Sequence, residues 1–295
     1  MEMRVVVSPS GGLGGFPDSS YIIDFMKNIY IVILSLLGSL GISLFFYLDD
    51  FSLSNSSRPD WRYKDKEISS RLLAIPILLY HNINGRGPFS IDDAVLREQF
   101  QLIKEKGMRV VSLHELIGRL EHPKPYREKG VIITFDDGYY STYSLLVPLA
   151  REFRYPVTQF IYCDAVSQRS SRSMTWARLR IMERMGIDVQ AHSISHADLT
   201  ELSRKNDPIS RKKLFEEIYL SKRIIELYLG KKVDFFAFPY GRYDLYLVKL
   251  ASDAGYKRVF STDYGSNIIT RDNFCLRRNH IKSSYSLHYI ENLIK

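Results

Sequence analysis

Two short segments carry residues whose types and spacing could do hydrolytic chemistry. The first, Thr134-Phe135-Asp136-Asp137-Gly138-Tyr139, sets two carboxylates side by side with a glycine to turn the chain. Adjacent carboxylates repel, and without a cation one of them tends to take up a proton. A metal held by one relieves the repulsion and leaves the other close to the metal's water as a base. The same residues also suit a plain surface turn, because Asp and Gly favour turns. The second segment, His192-Ser193-Ile194-Ser195-His196, offers two imidazoles four residues apart. It lacks the Glu of His-Glu-x-x-His and follows the apolar run Ile187–Ala191, so it reads as a loop rather than a metalloprotease helix. With Asp137 the pair makes a two-histidine, one-carboxylate set that leaves a position for water, as catalytic zinc or a similar divalent ion requires.

Something must bring these segments together. Short apolar runs at Ile75–Tyr80, Met108–Ser112, Val131–Phe135, Pro156–Tyr162, Ile187–Ala191, Val233–Phe238 and Lys257–Ser261 read as buried strands. Helix-like stretches lie between them, at Leu113–Glu121, Ser144–Phe153, Met174–Met185, Arg211–Leu229 and Asp244–Ala254. Such alternation predicts an α/β fold with a parallel sheet and helices outside it, whose functional residues gather where strands end. The polar residues fall there: Tyr80-His81, Asp136-Asp137, His192 to His196 and Pro239-Tyr240-Gly241 each follow a predicted strand.

Thr134–Tyr139, His192–His196 and Phe238-Pro239-Tyr240-Gly241 resemble, in order and spacing, the first three motifs of the polysaccharide deacetylases, the carbohydrate esterase family with the NodB-homology fold. The resemblance covers roughly residues 73–281. It implies a distorted (β/α) barrel with Asp136 as general base and Asp137, His192 and His196 as ligands of a divalent metal, zinc first, with cobalt or nickel as alternatives. It further implies that the backbone N–H of Tyr139 helps hold the oxyanion. The Leu-x-x-His and Asp-x-x-Asp-Trp motifs common in the family are absent, and Phe235-Phe236-Ala237 stand where the third motif usually has its Arg. Together with Pro76–Ile83, these departures resemble the branch that deacetylates poly-β-1,6-N-acetylglucosamine. That branch nominates His81 as general acid, with His280 as runner-up, and Arg278 as the partner that orients Asp136. Tyr139, Tyr240 and Trp176 are expected to line a groove for an N-acetylated polysaccharide. Peptidoglycan, chitin or xylan as substrate, or a non-catalytic carbohydrate-binding relative, are the alternatives.

The 295 residues, 45% hydrophobic and 25% charged, suit a globular protein and exclude a disordered or fibrous one. Residues 29–48 are uncharged and mostly apolar, long enough to cross a roughly 30 Å hydrocarbon layer. They are expected to be an uncleaved transmembrane signal-anchor, because the run ends in bulky Phe45-Phe46-Tyr47-Leu48 rather than a small-residue cleavage site. Residues 1–28 then form a disordered N-terminal segment in which Met26 is an alternative start, 49–70 a linker, and 71–295 the catalytic domain. Lys27 before the span and Asp49-Asp50 after it put that domain outside the cytoplasmic membrane. The net charge of +8 comes without a nucleic-acid motif, so no nucleic-acid partner is expected. The mixed charges of Arg211, Lys212, Lys213, Glu216, Glu217, Lys222, Arg223 and Glu226 read as a solvated helix face. Cys163 and Cys275 make no ligand cluster, and Cys163 reads as a buried thiol.

Overall fold

The computed structural model describes residues 74–120, 129–166, 173–205, 207–268 and 273–295. All belong to the second of the chain's two compact units, Tyr63–Lys295. The expected membrane span 29–48, the segment before it and the linker lie outside the described residues. Among the described residues, no helix is long and apolar enough to cross a membrane.

In chain order the strands are β1 (Ala74–Ile75), β2 (Ile77–Tyr80), β3 (Asn82–Ile83), β4 (Ser90–Ile91), β5 (Arg109–Val110), β6 (Gly130–Phe135), β7 (Val157–Ile161), β8 (Ile187–Ala191), β9 (Phe235–Ala237), β10 (Arg258–Phe260), β11 (Asn267–Ile268), β12 (Cys275–Leu276) and β13 (Asn279–His280). Nine of them form one sheet in the order β12-β10-β9-β8-β7-β6-β2-β13, with β5 also on β6, and every pairing is parallel. β2, β6 and β7 are buried along their whole length, as strands covered on both faces must be. Their apolar side chains, with Phe235, Phe260 and Leu276, fill the core. The rings of Phe160 and Phe260 meet at 5.2 Å.

The two edges of this sheet, β12 and β13, are separated in sequence only by Arg277 and Arg278. One short segment thus pairs with β10 through its first half and with β2 through its second, so the sheet must curl. Asn267 fastens the crossing, its side chain donating to Arg277 O at 2.9 Å and accepting from Arg277 N at 2.8 Å. The register then aligns the strand exits. Tyr80 pairs with Phe135, Phe135 with Gln159, Ile161 with Ala191, and Ala191 with Phe236, so the residues that follow emerge on one rim.

One expectation is corrected here. The helix predicted over Arg211–Leu229 is built as Pro208–Phe215, a π turn at Glu216–Leu220, and Ser221–Leu229. Lys212 and Arg223 face solvent as read, but Glu217 and Lys222 are buried. The stripe Leu214, Ile218 and Ile225 packs inward, and Glu217 lies on it; Lys222 turns its ammonium onto Val233 O. Cys163 is a buried free thiol, as expected, and Cys275 is also free.

The turn after β9 is tight. Tyr240 and Gly241 both have left-handed backbones, with φ of 58° and 67°. A Cβ on Gly241 would stand 2.1 Å from Thr262 Oγ1. Gly241→Ala should therefore cost about 1–2 kcal/mol from backbone strain alone, plus the clash, and lower the thermal midpoint by several degrees. A midpoint equal to that of the parent would show that the turn relaxes freely.

Candidate active site

Asp136 leaves β6 with its backbone N–H still bonded to Tyr80 O at 3.0 Å, which carries its side chain inside the rim, where it is buried. Both carboxylate oxygens are taken by one guanidinium, Arg278 Nη1 to Oδ1 and Nη2 to Oδ2, each at 2.7 Å. Arg278 is itself fully buried, donates from Nε to Ser261 O at 3.1 Å, and lies over the ring of Phe160. Burial pushes the Asp136 carboxyl upward, but Arg278 and His192 outweigh it and hold the group below the usual carboxylate range. Arg278, expected as the orienting partner, makes this paired contact with Asp136.

Asp137 and Gly138 turn the chain through left-handed conformations, with φ of 73° and 71°. The turn directs Asp137 away from Arg278 and toward the histidine loop. Asp137 Oδ1 lies 3.5 Å from His192 Nε2 and 3.3 Å from His196 Nε2. His192 Nδ1 is 2.8 Å from Ala237 O, and a carbonyl only accepts, so Nδ1 carries a proton and Nε2 is the atom turned to the carboxylates; burial lowers the His192 pKa, but Asp136 and Asp137 raise it overall.

One ligand atom each from Asp137, His192 and His196 comes within 4.8 Å of the others. Asp137 Oδ1 is buried without a hydrogen-bond partner. A buried carboxylate oxygen among imidazole nitrogens is stabilised by a positive charge between them, a proton or a metal ion. The residues therefore fit a divalent metal ion, and this donor set is the one expected from sequence.

The loop between the two histidines is strained, with Ser193 at φ 78° and His196 at φ 57°. Ser193 Oγ accepts from His196 N at 3.0 Å. Glu217 completes the hold: its carboxylate accepts from Ile194 N at 2.8 Å, Ser195 N at 2.9 Å and Ser195 Oγ at 2.5 Å, and pairs with Lys213 Nζ at 2.9 Å. Sequence reasoning missed this residue. The signal was its place three residues after Leu214 and directly before Ile218, on the buried stripe rather than among the charges around it.

His81 and His280 meet on the same rim, ring planes 6° apart and centroids 5.4 Å apart, with Phe89 against both. The Nδ1 atoms of both are buried and unpartnered. Burial lowers His81, against the pull of Asp136 and Asp137, and brings His280 down to about 4 with help from His81 and Arg278, so both are neutral at pH 7. Tyr139 and Tyr240 are 40% and 56% exposed, and Tyr240 stands edge-on to His196 at 4.6 Å. Trp176 requires correction. It is buried and its ring stacks on Tyr228 at 4.2 Å and 5°, so its faces are used in packing and none is offered to a groove.

Arg278→Met would leave the Asp136 charge buried and alone, a change that costs about 3–5 kcal/mol. Urea denaturation at pH 7 should show a loss of this size. Arg278→Lys should recover only part of it, because an ammonium cannot make the paired contact. Equal stability of Arg278→Met and the parent would contradict this.

The sequence pattern of the polysaccharide deacetylase family matches residues 124–259. YxkH of Bacillus subtilis (strain 168), a protein classed with the polysaccharide deacetylases, is 24% identical over 215 residues, 72% of this chain and 73% of its own. The poly-β-1,6-N-acetyl-D-glucosamine N-deacetylase of Escherichia coli (strain K12) is 35% identical over 81 residues, 26% of this chain but only 12% of that enzyme. Among solved structures, the Streptococcus pyogenes deacetylase PplD, in complex with acetate, superposes with a TM-score of 0.67 at 22% identity, over 76% of this chain and 99% of its own. A parallel sheet curled around paired aspartates and a two-histidine loop thus agrees with the sequence match, and the chain carries a polysaccharide deacetylase domain of the NodB-homology type.

Proposed function

We propose that this domain is a metal-dependent N-deacetylase that removes acetyl groups from a β-linked N-acetylglucosamine polymer. The observation that carries the reading is the division between the two neighbouring aspartates: Asp136 is held by Arg278, while Asp137 faces His192 and His196 with an unpartnered oxygen. A divalent ion held by Asp137, His192 and His196, zinc in our reading, supplies a Lewis acid for an amide carbonyl and lowers the pKa of water. Asp136, ionised and fixed in position, serves as the base that takes a proton from the attacking water. Hydrolysis breaks the acetyl C–N bond and gives acetate and an amine, and the amine must receive a proton. His81 stands nearest in role, being unpartnered at Nδ1 and on the same rim. As it is neutral at pH 7, it would relay a proton gained during turnover rather than begin with one.

Exposed Tyr139 and Tyr240 flank the ligands and offer faces on which sugar rings could stack. The 35% identity with the E. coli enzyme over 81 residues supports poly-β-1,6-N-acetylglucosamine as the first polymer to test. The uncharged run 29–48 supports a single-pass tether holding the domain outside the cytoplasmic membrane.

Acetate release by the purified full-length chain from poly-β-1,6-N-acetylglucosamine and chitin oligomers tests the reading. Release should stop with chelator, return with zinc, and fall by roughly 10²–10⁴-fold in Asp136→Asn. Chelator-resistant release, or none from any acetylated polymer, would overturn it. His81→Gln should lower kcat more than His280→Gln, with zinc affinity unchanged in both; the reverse order would transfer the proton-relay role to His280.

A further inference from the structure

The metal reading leaves one buried charge unexplained. Glu217 lies on the helix that runs from Pro208 to Leu229, well separated in sequence from the ligands, and is fully buried. The carboxylate does not point at the ligand atoms. It points at the chain between them, bonding two backbone N–H groups and one hydroxyl of Ile194-Ser195. The π turn at Glu216–Leu220 begins beside it, so the helix widens where the carboxylate meets the loop.

The loop needs such a hold. Ser193 and His196 are β-carbon-bearing residues with positive φ, a conformation that persists only when the surroundings enforce it. Released, Ser193 and His196 would relax toward ordinary backbone angles. His192 would keep its place through Ala237 O and the strand bond from its own N–H to Ile161 O at 2.8 Å. His196 makes no such bond to a strand among the described residues: its N–H is tied to Ser193 Oγ within the loop, its ring lies against Tyr162 and Tyr240, and only the Ser193 and Ile194 carbonyls before it accept from Cys163 N and Asp164 N. The Glu217 carboxylate holds the N–H groups of Ile194 and Ser195, the part of the loop that leads directly into the second histidine.

We infer that Glu217 is a positioning residue for the metal site, fixing His196 against His192 and Asp137 by gripping the backbone of Ile194 and Ser195. The inference rests on the metal reading above, and its failure can be told from the failure of that reading. Glu217→Gln keeps the shape, but in either orientation its amide N–H₂ meets donors, the two backbone N–H groups or the Lys213 ammonium. Ser195→Ala deletes one of the three bonds at an exposed position and cannot endanger the fold.

The test is Zn²⁺ affinity of the full chain by competition with a chromophoric chelator, with the apo-protein melting curve recorded in parallel. Outer-shell partners of metal ligands are worth 10–100-fold in affinity, and Glu217→Gln should lose that much. Ser195→Ala should lose less, in the same direction. Glu226→Gln is the structural control: Glu226 is on the same helix, pairs with Lys222 and accepts from Val233 N at 3.1 Å, away from the loop. It should lower the melting temperature and leave zinc affinity alone. Parental affinity in both Glu217→Gln and Ser195→Ala, with His196→Gln weakened, would overturn the positioning role and keep the metal site. Parental affinity in His196→Gln as well would remove the metal reading itself. Should Glu217→Gln fail to fold, Ser195→Ala decides.

Discussion

Two neighbouring carboxylates cannot both remain ionised in a buried place unless each has its own positive partner. Asp136 and Asp137 meet this constraint in different ways, and the rest of the domain is arranged around the difference. Asp136 receives a permanent cation, the guanidinium of Arg278, in a paired contact that uses both its oxygens. Asp137 is turned away by a left-handed bend and faces two imidazoles, a donor set that could hold a metal ion. One aspartate is thereby fixed as a charge, and the other is left free to serve as a ligand.

The fold delivers these partners from distant places in the chain. Arg278 comes from the crossing between β12 and β13, where the sheet's two edges meet on one segment, so the curl of the sheet and the pairing of Asp136 are a single event. His192 continues β8 and is locked by Ala237 O at the end of β9, which makes the neighbouring strand responsible for its tautomer. Phe160 and Phe260, the rings under the Arg278 guanidinium, belong to the core. Packing and electrostatics are therefore not separable at this rim: the rings that stabilise the sheet also exclude water from the ion pair, where a low dielectric strengthens it.

Much of this was legible in the sequence because its signals are local. Apolar runs gave the strands, and motif residues directly after them gave the rim, since a strand's exit fixes where the next side chain emerges. Even Arg278, far from Asp136 in sequence, was reachable through its likeness to a known segment. What was not legible depends on tertiary packing. Glu217 sits in a run of mixed charges, and its burial follows from the phase of a helix interrupted by a π turn. Trp176 offered an aromatic ring, but whether a ring faces a groove or a neighbour such as Tyr228 is decided by what packs beside it. The stacking of His81 on His280 likewise joins β2 and β13, which only the closing of the sheet brings together.

Zinc affinity in Asp136→Asn beside Asp137→Asn separates the roles of the two aspartates. Asp137→Asn should lose the metal, while Asp136→Asn, still facing Arg278, should bind it nearly as the parent does. Equal losses in both, or a greater loss in Asp136→Asn, would contradict this division of roles.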